Sequence, residues 1–342
     1  MTANADPGNV AVPRARSAGR ACLFRLLRIG IAAALIAALL PTFLNPEFFA
    51  ALRSVSLPLL ALALFLSVAS VASKAWRWGI VLRWRGIRVR NQYLLLSYFI
   101  SMFFNNFLPS GMGGDAVRAY ESARDTGRAT ESVTAVILER GSGMLSLFAA
   151  GSLSLLLYPG HELPLSITLL VHGLFLGALI GTILLWQDFT GALLAWFGAR
   201  LPARLHGLWA KGTAVYEDFK GYRTQYRLLA DLMLQSVVTL VLTVASLYTL
   251  IAALGQTVPI APFAAVIAIA TAIDLVPISP NGLGVREGVY VFLLGRLGIA
   301  SGTALAFGIL IRLLVLIQAL MGGLAFLYRG ARPARPMTPE AQ

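Results

Sequence analysis

Long apolar runs separated by short polar stretches make up most of the chain. The runs Leu26–Leu44, Leu57–Ser73, Val133–Leu157, Leu165–Trp186, Leu228–Leu254 and Thr303–Tyr328 approach or exceed the roughly 20 residues that carry a helix across hydrocarbon. Each predicts a transmembrane helix, about six in all. Two further apolar stretches are interrupted. Tyr93–Leu108 is short for a full span and runs into Asn105, Asn106, Pro109, Gly111, Gly113 and Gly114, a cluster of helix breakers closed by Asp115. The second is split by Pro277, Pro280, Gly282 and Gly284, with Pro262–Val276 before the break and Val289–Leu297 after it. Neither arm is long enough to span alone.

The charged residues fall mostly between the runs and at the two ends, which orients the chain. Arg14, Arg16, Arg20, Arg25 and Arg28 precede the first run, and Arg329, Arg332 and Arg335 follow the last. The positive-inside rule then puts both termini in the cytoplasm. Residues 1–20 read as a disordered basic tail, 21–330 as a single membrane domain, and 331–342 as a short second tail. The basic start also resembles a secretory signal, but no small-residue cleavage site follows, so an uncleaved first span is expected. On the same charge counting, the break at 105–115 enters from the inside and returns to it. The break at 277–288 enters from the outside. The fold class predicted is all-α polytopic, with about six spanning helices and two oppositely oriented re-entrant helix pairs, a candidate inverted repeat.

Several smaller readings follow from local pattern. Lys74, Arg77, Arg83, Arg85, Arg88 and Arg90 interleave with Trp76, Trp78 and Trp84, which predicts an interfacial segment after the second span. Gly173, Gly177 and Gly181 repeat at four-residue spacing, which predicts close helix packing. The stretch 187–227 reads as partly amphipathic and cytoplasmic, with Leu205, Leu208, Trp209 and Phe219 facing lipid. His172 reads as a packing residue.

Composition confirms the class and narrows the partners. The chain has 342 residues, 58% hydrophobic and 13% charged, against about a quarter charged in soluble domains. The net charge of +13 is accounted for by the flanks of the spans, so no nucleic-acid partner is expected. Cys22 is the only cysteine, and the histidines His161, His172 and His206 have no paired metal-ligand spacing, so neither a metal nor another cofactor is expected.

The candidate chemistry lies at the breaks. Pro109-Ser110-Gly111-Met112-Gly113 and Pro280-Asn281-Gly282-Leu283-Gly284 share one pattern. Broken helices of transporters meet near the membrane midplane with their half-helix ends aimed at substrate. Charges embedded in apolar surroundings, namely Glu139, Arg140, Asp274, Arg286, Glu287 and Arg312, pair with one another or line a pathway. With Arg118 included, arginines outnumber carboxylates, which suits a phosphate gripped by guanidinium forks.

These same residues carry a family resemblance. Asn105–Arg118, Glu139-Arg140-Gly141-Ser142-Gly143 and Pro280–Gly288 resemble the lysylphosphatidylglycerol synthase transmembrane family, the flippase-like membrane region of the multiple peptide resistance factor. The family more often has Asp than Glu at the position of Glu139, and the charge is kept. The chain ends soon after the last span, so the soluble aminoacyl-transfer domain of full-length synthases is not expected. The resemblance therefore implies the membrane half's role, moving a lipid with an anionic or modified head group between leaflets. Asn105, Asn106, Pro109, Gly111, Gly113, Gly114, Asp115, Arg118, Glu139, Arg140, Asp274, Pro280, Gly282, Gly284, Arg286, Glu287 and Arg312 are the candidate substrate-binding residues. Two other classes stay open: a membrane-embedded transferase acting on a lipid-linked substrate, and a scaffold for a lipid- or hopanoid-pathway complex. The expected partners are membrane lipids, with a homo-oligomer or lipid-pathway enzymes also compatible. No Asp-x-Asp, Gly-x-Ser-x-Gly or nucleotide-binding loop occurs, which argues against an enzyme.

Overall fold

The structure, a computed structural model, describes residues 46–107, 113–158, 163–273 and 283–330. Among them are α-helices, one 3₁₀ turn (Gly221–Thr224) and no strand. The helices are α1 (Pro46–Arg53), α2 (Leu57–Trp84), α3 (Asn91–Phe107), α4 (Gly113–Thr126), α5 (Ala129–Leu157), α6 (Leu165–Leu185), α7 (Asp188–Gly198), α8 (Ala203–Lys220), α9 (Tyr226–Ala253), α10 (Ile260–Ile273), α11 (Val285–Gly295) and α12 (Ser301–Gly330). Five of them, α2, α5, α6, α9 and α12, are long and apolar enough to cross a membrane. They correspond to five of the six expected spans. The first expected span, Leu26–Leu44, lies outside the described residues, as do the two tails, Cys22 and His161.

Helices α2 and α9 form the central antiparallel pair, held by a ladder of small polar groups. Ser70 meets Thr243 and Ser73 meets Thr239, each at 2.7 Å, and Ser246 Oγ donates to the Ala63 carbonyl at 2.7 Å. The hydroxyls of Thr243 and Thr239 already donate to carbonyls one turn back. A hydroxyl has one proton, so the serines are the donors across the pair. In hydrocarbon such links replace water as partners and contribute on average about 0.6 kcal/mol each.

Both helices stop in the same way. The amides of Gly86 and Ile87 turn back to the carbonyls of Arg83 and Leu82, and those of Gly255 and Gln256 to Ala252 and Ile251. Gly86 (φ +72°) and Gly255 (φ +73°) take the left-handed conformation that this helix stop requires. The second span therefore extends past Ser73 to Trp84, because nothing in 74–84 breaks the helix before Gly86. The stretch expected to follow the span continues its helix as far as Trp84. Trp78 and Arg77 are buried, while Trp76 and Trp84 are exposed.

The remaining packing follows a matched pattern. The arms α3 and α4 run antiparallel, with Tyr93 Oη donating to Asp125 Oδ2 at 3.1 Å and Asn105 meeting Gly114 at the other end. The arms α10 and α11 also pack on each other. The second arm of each pair packs on the long helix that follows it, α4 on α5 and α11 on α12. The first arms cross over, α3 onto α12 and α10 onto α5. The crossed contacts correspond in detail: Gly322 of α12 lies against Phe99, the ninth residue of α3, and Gly151 of α5 against Ala268, the ninth of α10.

The region after α6 departs from expectation in two places. A Cβ at Gly173, Gly177 or Gly181 would have no neighbour within 4 Å, so this stripe packs no helix among the described residues. In 187–227, Leu205 and Leu208 are exposed as expected. Trp209 instead closes on Gly198, and Phe219 lies 6.2 Å from Trp186, ring centre to ring centre. His172 is a packing residue: its Nδ1 meets Ser152 Oγ at 2.6 Å, tying α6 to α5.

Candidate charged site at the helix breaks

The first break delivers its charges to one buried cluster. Gly113 and Gly114 open α4, and Asn105 Oδ1 accepts from the Gly114 amide at 2.7 Å. This satisfies one of the orphan donors of a helix start. Gly114 is required by closeness, since a Cβ there would lie 1.8 Å from the Ser101 carbonyl oxygen. Asn106 donates to the Met102 carbonyl in its own helix at 3.0 Å. Asp115 and Arg118 then project from α4 toward Glu139 and Arg140 of α5.

Glu139 is the centre of the cluster. Arg77 Nη2 donates to its Oε1 at 2.6 Å and Arg118 Nη2 to its Oε2 at 2.9 Å, all three residues being nearly inaccessible. Tyr98 Oη approaches Oε1 at 3.4 Å. Arg118 also reaches Asp115 Oδ1 at 3.2 Å, and Arg140 pairs with Asp115 Oδ2. Three helices are thereby locked through one carboxylate: α2 by Arg77, α4 by Arg118, and α5, which carries Glu139.

Arg118 is wholly buried between two rings, its guanidinium carbon 4.9 Å from the centre of Trp78 and 4.4 Å from Tyr98. Its Nε and Nη1 have no hydrogen-bond partner among the described residues. The aromatic faces offset that deficit, since a desolvated cation–π contact contributes about 2 kcal/mol. Arg77 also donates from Nη1 to Ser236 at 3.0 Å, joining the cluster to the α2–α9 ladder.

The second break repeats the arrangement with signs reversed. Gly284 caps α11 at φ +80°, and Glu287 reaches back to its amide, Oε2 accepting at 2.8 Å. Arg312 Nε of α12 donates to the other oxygen of Glu287 at 2.8 Å. Arg118 of α4 with Glu139 of α5 thus has a counterpart in Glu287 of α11 with Arg312 of α12. Arg286 lies beside Tyr290, 5.9 Å from its ring centre. Pro109, Gly111, Asp274, Pro280 and Gly282 lie outside the described residues.

Lys74 links the two groups. It lies on α2 one turn before Arg77, near enough to Arg77, Glu139, Arg140 and Arg286 for their charges to act on it. The apolar run alone ends the span at Ser73, which sets Lys74 and Arg77 outside the site. The signal was present in the polar stripe Ser67, Ser70, Ser73 and Arg77, whose three- and four-residue spacing marks one helix face. A further tie closes the other end of the first pair. Arg329 of α12 donates to Glu121 Oε2 at 3.0 Å and Ser97 Oγ at 2.9 Å.

Residues 25–322 match the family described as the lysylphosphatidylglycerol synthase TM region. A protein of Methanothermobacter thermautotrophicus, named UPF0104 membrane protein, is 24% identical over 305 residues, which cover 83% of this chain and 87% of the relative. The family match takes in both breaks, the Glu139 cluster and the Glu287–Arg312 pair. The chain is a helical membrane protein and belongs to the lysylphosphatidylglycerol synthase transmembrane family.

Proposed function

We propose that the protein is a flippase of the cytoplasmic membrane that carries a lipid with a phosphate or modified head group between leaflets, its two termini in the cytoplasm. The observation that carries this reading is a surplus of positive charge inside a bundle of membrane-length helices. Among the described residues of the first cluster, Lys74, Arg77, Arg118 and Arg140 face two carboxylates, Asp115 and Glu139. A surplus charge within the bilayer costs a few kcal/mol or more unless it is paired or hydrated. A head-group phosphate supplies the missing anion, and guanidinium forks match its geometry.

The matched packing of the two halves supports the transport reading. Helices α2 and α9 are each 28 residues long and antiparallel, and the linkers 85–90 and 254–259 both place Gly second and Val fifth. We read α2–α5 and α9–α12 as inverted repeats, with α3–α4 and α10–α11 as re-entrant pairs that enter from opposite sides. On that reading the breaks lie between the halves, where unwound backbone at depth is tolerated because protein buries it or it lines a water-filled cavity. Rocking one half against the other opens the space between them to each leaflet in turn. The carboxylates hold the arginines in place for the phosphate, and the movement requires no chemical step.

The test is transbilayer movement of labelled phosphatidylglycerol in proteoliposomes, read with a membrane-impermeant quencher. Wild-type protein is expected to accelerate it, and Arg140→Gln and Arg286→Gln each to slow it by about tenfold, the loss of one charge-assisted hydrogen bond. Movement by both variants at the wild-type rate would rule the reading out.

A further inference from the structure

Among the described residues, the ion pairs of the site leave Lys74 no carboxylate of its own. Arg77 and Arg118 grip Glu139, Arg140 grips Asp115, and Arg312 grips Glu287. Lys74 has no hydrogen bond or ion pair among the described residues. It is half-buried within a membrane-length helix, so the absence of a partner is costly there.

Snorkelling toward the lipid surface does not explain it. Phe65, Ala72 and Trp76 mark the exposed face of α2. Lys74 lies two residues from both Ala72 and Trp76, which is about 200° around the helix. It therefore points inward, along the face that carries Ser67, whose Oγ accepts from Gln318 of α12, and the wholly buried Trp78. Inside, the Glu139 carboxylate attracts it but is already held by Arg77 and Arg118, and the guanidiniums of Arg77, Arg140 and Arg286 repel it. Their repulsion is relieved by an anion bound at the ammonium group.

We propose that Lys74 is a further ligand of the phosphate group, its ammonium joining the arginine forks that the carboxylates hold in place. This rests on the flippase reading above for the source of the phosphate, a lipid head group. An ammonium suits a cargo that must be released again. Lys binds phosphate as a hydrated point charge, whereas Arg holds it through a planar two-bonded fork.

The chain has three lysines, Lys74, Lys211 and Lys220, so amine labelling resolves Lys74 by peptide mass spectrometry with two internal references. The full chain is labelled in a maltoside detergent with added phosphatidylglycerol, diacylglycerol or inorganic phosphate. Phosphatidylglycerol is expected to reduce Lys74 labelling about tenfold relative to Lys211 and Lys220, and diacylglycerol to leave it unchanged. Equal protection by inorganic phosphate keeps Lys74 as a phosphate ligand and makes a free anion its source. Equal labelling under all three conditions overturns the proposal.

The liposome assay separates this proposal from the one it rests on. K74Q is expected to slow phosphatidylglycerol movement about tenfold, and K74R to retain part of it. Protection of Lys74 in a protein that moves no lipid sinks the flippase reading and keeps the ligand. Unchanged movement by K74Q, with no protection of wild-type Lys74, sinks the ligand alone.

Discussion

A Cβ on Gly143 would stand 2.6 Å from Nη2 of Arg77, the atom that donates to Glu139. The glycine that follows the Glu-Arg pair by three residues thus keeps open the space in which the central ion pair forms.

Gly143→Ala is therefore expected to destabilise the protein by about 1–3 kcal/mol, the range for forcing extra atoms into a packed interior. The neighbouring Gly141 is a matched control, because a Cβ there meets nothing within 4 Å. Gly141→Ala removes a poor helix former and is expected to be neutral or stabilising by up to about 1 kcal/mol. Thermal unfolding of both variants in detergent checks this. Equal melting temperatures would show that Arg77 yields without cost.

Glu139→Gln is expected to cost more, about 3–5 kcal/mol, because it leaves the buried guanidiniums of Arg77 and Arg118 without their common counter-charge. Adding Arg77→Met to Glu139→Gln removes one of those stranded charges. The double variant is expected to recover part of the loss in the same unfolding measurement. A strictly additive double variant would mean that the two side chains are not energetically coupled.

The close crossing of α3 and α12 depends on Gly322, where a Cβ would lie 1.9 Å from the Phe99 carbonyl oxygen. Backbone cannot move aside as a side chain does, so Gly322→Ala is expected to lower the yield of folded protein sharply in size-exclusion chromatography. Gly173→Ala and Gly177→Ala are expected to elute as wild type, since neither new methyl group meets anything within the protomer. Loss of folded protein in those two variants would point to a packing role for that stripe between copies.

Outside the spans, Asp188 at the start of α7 pairs with Lys220 at the end of α8. The hydrogen bond and charge of Lys220 lower the Asp188 pKa, and Asp188 raises that of Lys220. A depressed carboxylate stabilises above its unfolded pKa, near 4, and loses that contribution as pH falls through its folded value. A raised lysine stabilises below its unfolded pKa, near 10, and loses it as pH rises through its folded value. The α7–α8 hairpin is thus expected to resist limited proteolysis equally across the neutral range. High salt should weaken it instead, because the pair is exposed and screened. Asp188→Asn should remove the salt effect.

Hydrophobic run length fixed the class of this protein, because only helices of about 20 apolar residues satisfy their own backbone in lipid. Five of the expected spans were found among the described residues, and the family was legible in short motifs around Glu139 and the two glycine breaks. Those motifs consist of breakers and buried charges, which read the same in any context. Which charges meet was decided only by tertiary packing. Arg77 read as an interfacial cation because its neighbours in sequence are Trp76 and Trp78. Its partners are Glu139, 62 residues away, and Ser236, 159 residues away. The stripe Gly173, Gly177 and Gly181 read as a packing face because four-residue spacing permits close approach, but spacing does not supply a neighbour. Lys74 was overlooked for the same reason. A helix face is assigned by what covers it, and only the folded chain shows Lys74 on the face turned away from Ala72 and Trp76.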